Sequence, residues 1–318
     1  DARLLAWLSA SLLMTTVAYS ALSILHQAWG ARLGGNEAMR SRVVAWREGL
    51  GLAGVILASV APLALGFPGT VALLFIASGL AWLAWRAAPV PSSASVSAAH
   101  GHPPSTLGMG YPWSRPGFRS LMAVFMVNGI ASAVPATLIL FFVQDRLQAL
   151  PAMEPVFLGS YFVCAALALP LWLRVVNRIG LARTWALGMA LALGVFAFAA
   201  QLEAGDTVAF VLVCALSGVA MGTDLALPAA LLNGRIEANG DRGQAEGAYF
   251  GWWAFATKLN LALAAGLALP LLGWWGYTPG ARDADALQTL TWAYCLLPCA
   301  LKTAALALLY FFIIRKSP

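Results

Sequence analysis

Apolar residues run through this chain in nine long blocks separated by short polar turns. The blocks cover 4–28, 43–66, 69–86, 118–143, 156–175, 181–201, 206–232, 247–276 and 287–314. Each approaches or exceeds the roughly 20 residues that a helix needs to cross a bilayer. The pattern predicts an all-α membrane protein with nine transmembrane helices. One stretch differs: 87–116 is rich in Ala, Ser, Pro and Gly, and it reads as a linker with three spans before it and six after. Three spans followed by six is the pattern of a transporter built from two six-helix halves whose first three helices lie outside this stretch.

Composition sharpens the class. At 61% hydrophobic, 10% charged and mean hydropathy +0.78, a chain of 318 residues is too apolar for a soluble domain. Its net charge of +6 is a matter of topology and points to no nucleic-acid partner. Most basic residues, among them Arg32, Arg40, Arg86, Arg115, Arg178, Arg242 and Lys316, fall on one side of the alternating spans, and only Arg3, Arg146 and Arg282 on the other. The positive-inside rule makes the basic side cytoplasmic, with the C-terminus inside a bacterial-type inner (plasma) membrane. Nine spans then leave Asp1 outside, with neither a methionine nor a signal peptide before it, so the chain is expected to be a truncated product. The four cysteines all lie in spans and read as apolar packing residues.

Charges inside spans carry the functional signal. Lys258 sits near the middle of 247–276, where insertion costs roughly 2.5–3.5 kcal/mol, so it is expected to face a bundle interior or a cavity. Its helical face is small: Gly251, Ala254, Ala262, Ala265 and Gly266. Asp224 lies about 13 Å into the membrane and Lys258 about 16 Å, counting rise per residue from the loop they share. Similar depth permits the two to pair. Pro228 leaves the Asp224 carbonyl without a helix partner, so Asp224 either neutralises Lys258 or helps form a cation or proton site. Lys302 is also mid-span but has less supporting context and ranks below Lys258. Arg47 is a gate or substrate contact, Glu48 pairs with it or snorkels, and Asn128 lies at Lys258-like depth as a substrate contact or interhelical bond. Tyr249, Trp252 and Trp253 stack on a sugar ring or form an interfacial belt. Arg174, Arg178 and Arg183 flank the Gly180 turn and are expected to gate by gripping helix ends. His100 and His102, in the linker, have too few companion ligands for a metal site, and no cofactor is expected. No nucleophile elbow, phosphate loop or dinucleotide fingerprint occurs, which argues against an enzyme.

Four segments resemble the glycoside–pentoside–hexuronide:cation symporter family (melibiose permease-like) of the major facilitator superfamily. They are Gly30-Ala-Arg-Leu with Arg40-Ser-Arg42 and Trp46-Arg47; Asn128-Gly-Ile-Ala-Ser-Ala-Val-Pro-Ala-Thr; Gly222-Thr-Asp-Leu-Ala-Leu-Pro; and Tyr249-Phe-Gly-Trp-Trp-Ala-Phe-Ala-Thr-Lys258. The resemblance implies family helices four to twelve, alternating access, and sugar or glycoside uptake driven by a sodium ion or proton. It matches Lys258 to the important lysine of the eleventh family helix and Arg47 to the arginine of the fifth. Where members often carry acidic residues after helix four, this chain has Gly34-Gly35-Asn36.

The expected organisation is thus 1–86 as the second three-helix repeat of an N-terminal half, 87–117 as a cytoplasmic linker, and 118–318 as a C-terminal six-helix half. The expected function is cation-coupled sugar symport by a monomer in a lipid bilayer, with Lys258, Arg47, Asn128, Tyr249, Trp252 and Trp253 at the substrate and Asp224 with Lys258 coupling the cation. This stretch alone is not expected to transport. Competing readings are a membrane-embedded enzyme or assembly scaffold, and a transporter of an anionic or lipid substrate.

Overall fold

The computed structural model describes residues 2–33, 35–89 and 108–316; the His100 and His102 expectation lies outside them. The described chain is helical throughout: α1 (Ala2–Arg32), α2 (Glu37–Arg86), α3 (Pro116–Phe141), α4 (Glu154–Ile179), α5 (Leu181–Ala199), α6 (Thr207–Ala238), α7 (Glu246–Trp274), α8 (Ala284–Thr291) and α9 (Leu297–Leu309). In a bilayer this is the expected outcome, because a helix satisfies every backbone N–H and C=O within its own segment. Eight stretches of the described residues are long and apolar enough to cross a membrane, with α8 and α9 forming one of them.

The difference from nine expected spans lies in α2. Its 50 residues take in both 43–66 and 69–86, and they are interrupted at Gly66, where φ 66 and ψ 178 are not helical. A continuous helix of that length would hold its ends about 75 Å apart. Instead the far end returns to the near one. Trp85 packs against Trp29 at a ring separation of 5.0 Å and against His26 at 5.6 Å, beside the start of the helix. The chain therefore reverses at Gly66, between Pro62 and Pro68, and α2 crosses twice. The described residues make nine crossings.

Turn chemistry sets the other reversals. Asn36 caps α2 by accepting from the Met39 N–H at 2.9 Å, while Pro116 opens α3 at a position where its missing N–H costs nothing. Gly180, at φ 79, ends α4 and begins α5 in a conformation that side chains rarely adopt.

The core divides by level. At the arginine-rich end, Ala28, Ala31, Val44 and Ala45 of α1 and α2 join Phe118, Trp185, Leu227, Tyr249 and Ile313 in one cluster. At the opposite end, the cluster of Leu138, Phe142, Phe157, Phe210, Tyr277 and Tyr294 contains only residues beyond 116. Helices α1 and α2 are thus packed to the rest mainly at one end, and most of their other apolar side chains lie open to the surroundings.

Candidate functional site

The helices α4, α5 and α6 approach closely enough to fix side-chain positions. Gly218 of α6 lies against the Tyr161 carbonyl of α4, Gly188 of α5 lies against Thr223, and the Trp172 indole donates to the Val219 carbonyl at 2.7 Å. A methyl group at either glycine would collide. This clamp holds the next residue along α6, Asp224.

Around Asp224 the structure assembles a mid-membrane polar cluster. The Lys302 ammonium of α9 donates to Asp224 Oδ2 at 3.0 Å, Asn128 Oδ1 at 2.8 Å and Ser132 Oγ at 3.1 Å. Ser132 also donates to Asp224 Oδ2 at 3.1 Å, and Trp185 Nε1 donates to Asp224 Oδ1 at 2.8 Å. The Lys302 side chain is 5% exposed and that of Asp224 18%. Such a pair withstands its desolvation only because Asn128, Ser132 and Trp185 supply further hydrogen bonds.

This corrects the expected pairing. Asp224 is neutralised by Lys302, the lysine ranked lower from the sequence, and Asn128 is bound to the same ammonium. Lys258 instead lies exposed on α7, facing α1, where its ammonium donates to Ser20. It belongs to the seam between α1 and the rest rather than to the interior of the six later spans. The signal for Lys302 was present: Pro298, Lys302, Ala305 and Leu309 form a buried stripe at helical spacing.

The aromatic candidates are engaged near the arginine-rich end. Tyr249 is fully buried and its hydroxyl donates to Asp241 at 2.6 Å; Trp253 stacks on Phe125; and Trp252 donates to the Met109 carbonyl at 2.7 Å beside Trp113. Asp241 also accepts from Tyr111 at 2.8 Å and Arg115 at 3.0 Å, which ties the segment before α3 to the α6–α7 loop. Burial first, and then the bond to Asp241, raises the Tyr111 hydroxyl above its ordinary pKa. Arg47 pairs with Glu48 at 2.6 Å.

At the same end, ion pairs bridge α1 and α2 to the later helices: Arg40 to Glu237 at 2.5 Å and Arg32 to Glu246 at 3.5 Å, with Arg242 donating to the Arg32 carbonyl at 2.5 Å. Arg174, Arg178 and Arg183, expected as the gate, enter no ion pair among the described residues. Gly180 between them lies close to Glu37. The ion pairs across this end are thus made by Arg32 and Arg40.

This arrangement is a bundle joined at one end by ion pairs, with a buried charge pair at mid-membrane depth. No curated protein matches the chain. Its fold is similar to the crystal structure of a bacterial homologue of the iron transporter ferroportin in an outward-facing state, with a TM-score of 0.66 and 14% identity, over 94% of this chain and 70% of that one. The family model described as MFS/sugar transport protein matches residues 1–316, so the chain belongs to that transporter family, within the major facilitator superfamily.

Proposed function

We propose that this secondary transporter moves a sugar or glycoside together with a sodium ion or proton by alternating access, in a bacterial-type inner membrane with its C-terminus in the cytoplasm. The family description supports a sugar as cargo. The observation that carries the mechanism is the placement of charge. Ion pairs join α1 and α2 to the later helices at one end only, so exchanging them opens that end. In this reading Lys258 of α7 and Arg47 of α2 contact the substrate from different helices. Asp224 is the carboxylate through which cation occupancy is felt, because coupling requires a group whose interactions differ between loaded and empty states.

The test is uptake by proteoliposomes containing the full-length protein, with a panel of labelled glycosides and either an inward sodium or an inward proton gradient. Accumulation is expected with one gradient and not without it, and Lys258→Ala is expected to abolish it while membrane insertion is unchanged, since removing a central charge eases insertion. Equal uptake with and without a gradient, or normal accumulation by Lys258→Ala, overturns the assignment.

A second reading has its own observation. Among the described residues Lys258 has no acidic partner, only Ser20. A positive charge left unbalanced in a seam suits an anionic or lipid substrate, and the same vesicles loaded with anionic glycosides and lysolipids separate the two readings.

A further inference from the structure

Three oxygens in the Asp224 cluster converge on one point. Asp224 Oδ2, Asn128 Oδ1 and Ser132 Oγ lie 3.0, 2.8 and 3.1 Å from the Lys302 nitrogen, and they come from two helices, α3 and α6, neither of which carries the lysine. One oxygen bears formal charge and two are neutral. Such a set is the hard-donor environment that a small monovalent cation takes, and two of its oxygens have anchors besides the lysine: Asp224 is held by Trp185 and by the glycine clamp on α6, and Ser132 is bonded to Asp224. The carbonyl of Asp224, left free of helix bonding by Pro228, adds an oxygen at the same residue.

We propose that Asn128, Ser132 and Asp224 form an alkali-cation site whose resident occupant is the Lys302 ammonium. The lysine is a cation on a tether. Held in place by its own helix, it fills the site without the translational entropy a dissolved ion must lose, so the site is closed to sodium and potassium while α9 is seated. An ion enters only by displacing it. This deepens the proposed coupling at Asp224, because an ion that acts there must exchange with Lys302 and so must unseat α9 from α3 and α6.

The proposal is tested by binding, with no substrate present, so its failure is distinct from failure of the sugar reading. The thermal unfolding midpoint of the purified full-length protein is measured in sodium, potassium and choline chloride at equal ionic strength, together with retention of radioactive sodium. Lys302→Ala vacates the position and leaves Asp224 unbalanced. Its midpoint is expected to rise by about 5 °C in sodium or potassium chloride relative to choline, the size of shift that saturating a specific site produces. The wild type is expected to show no such rise at the same concentrations, and Lys302→Ala/Asp224→Asn none at all.

Folding of Lys302→Ala in sodium but not in choline supports the site. A folded Lys302→Ala indifferent to both salts overturns it. Failure to fold in every salt while the double variant folds also overturns it, because the oxygens then capture no ion. Should neither variant fold, the wild type decides. A sodium-dependent rise that Asp224→Asn removes shows that the lysine does not hold the site, whereas indifference to both salts supports the resident ammonium.

Discussion

Two lysines of similar depth have opposite circumstances. Lys302 is enclosed by three polar groups, whereas Lys258 stands at a seam with one hydroxyl. Removing the partner of an enclosed charge is costly, so Asp224→Asn is expected to lower stability by about 3–5 kcal/mol through the stranded Lys302. Lys258→Ala should change it little. In double-mutant cycles measured by denaturation in detergent, Asp224→Asn with Lys302→Ala should be markedly less harmful than the sum, and Asp224→Asn with Lys258→Ala additive. Additivity in the first cycle would refute the pair. The sequence displayed both lysines and the aspartate but not which of them meet. Depth was legible from rise per residue; azimuth was not, because Lys302 reaches Asp224 across helices 78 residues apart in the chain. The small residues beside Lys258 were read as facing a bundle interior, whereas Ala262, Ala265 and Gly266 are exposed.

At the scale of elements, the nine crossings were legible because a bilayer admits no other use for such long apolar runs. What the pattern did not show is that two of them are joined without a loop, the chain reversing at a single residue. Gly66 adopts φ 66 and ψ 178, a region essentially closed to other residues, so Gly66→Ala should cost about 1–3 kcal/mol in thermal unfolding. Topology is checked separately. A cysteine replacing the exposed Phe67 and one replacing Arg86 should react with membrane-impermeant thiol reagents from opposite sides. Labelling from the same side would mean that α2 does not reverse across the membrane. The expected turn glycine, Gly180, does take positive φ, and the arginines flanking it enter no ion pair among the described residues.

For the whole molecule, the decisive feature is that α1 and α2 join the core mainly at the arginine-rich end. The pairs that close this end are partly exposed, with 16% and 38% of the Arg40 and Glu237 side chains accessible. Each such pair contributes at most about 1 kcal/mol, a scale suited to a contact made and broken in every cycle. Arg40→Ala should therefore raise the labelling rate of a cysteine placed at buried Ala45 by up to about fivefold, with the overall fold intact. An unchanged rate would show that apolar packing alone keeps the end closed. The one-sided closure was not legible in the spacing of the spans, because it depends on which faces of α1 and α2 meet the later helices.

The bond from the Trp185 indole to Asp224 also has an optical consequence. An indole redistributes charge within its ring on excitation, so the colour of its emission follows the local electric field. Trp185 is fully buried and donates its N–H to the very carboxylate that Lys302 balances. Any event that moves the ammonium, admits an ion or separates α9 from α6 changes the field along that ring. The chain has 13 tryptophans, but the difference between its emission and that of Trp185→Phe isolates this one. The transporter thus carries its own voltmeter, wired to the buried charge pair and readable without a dye.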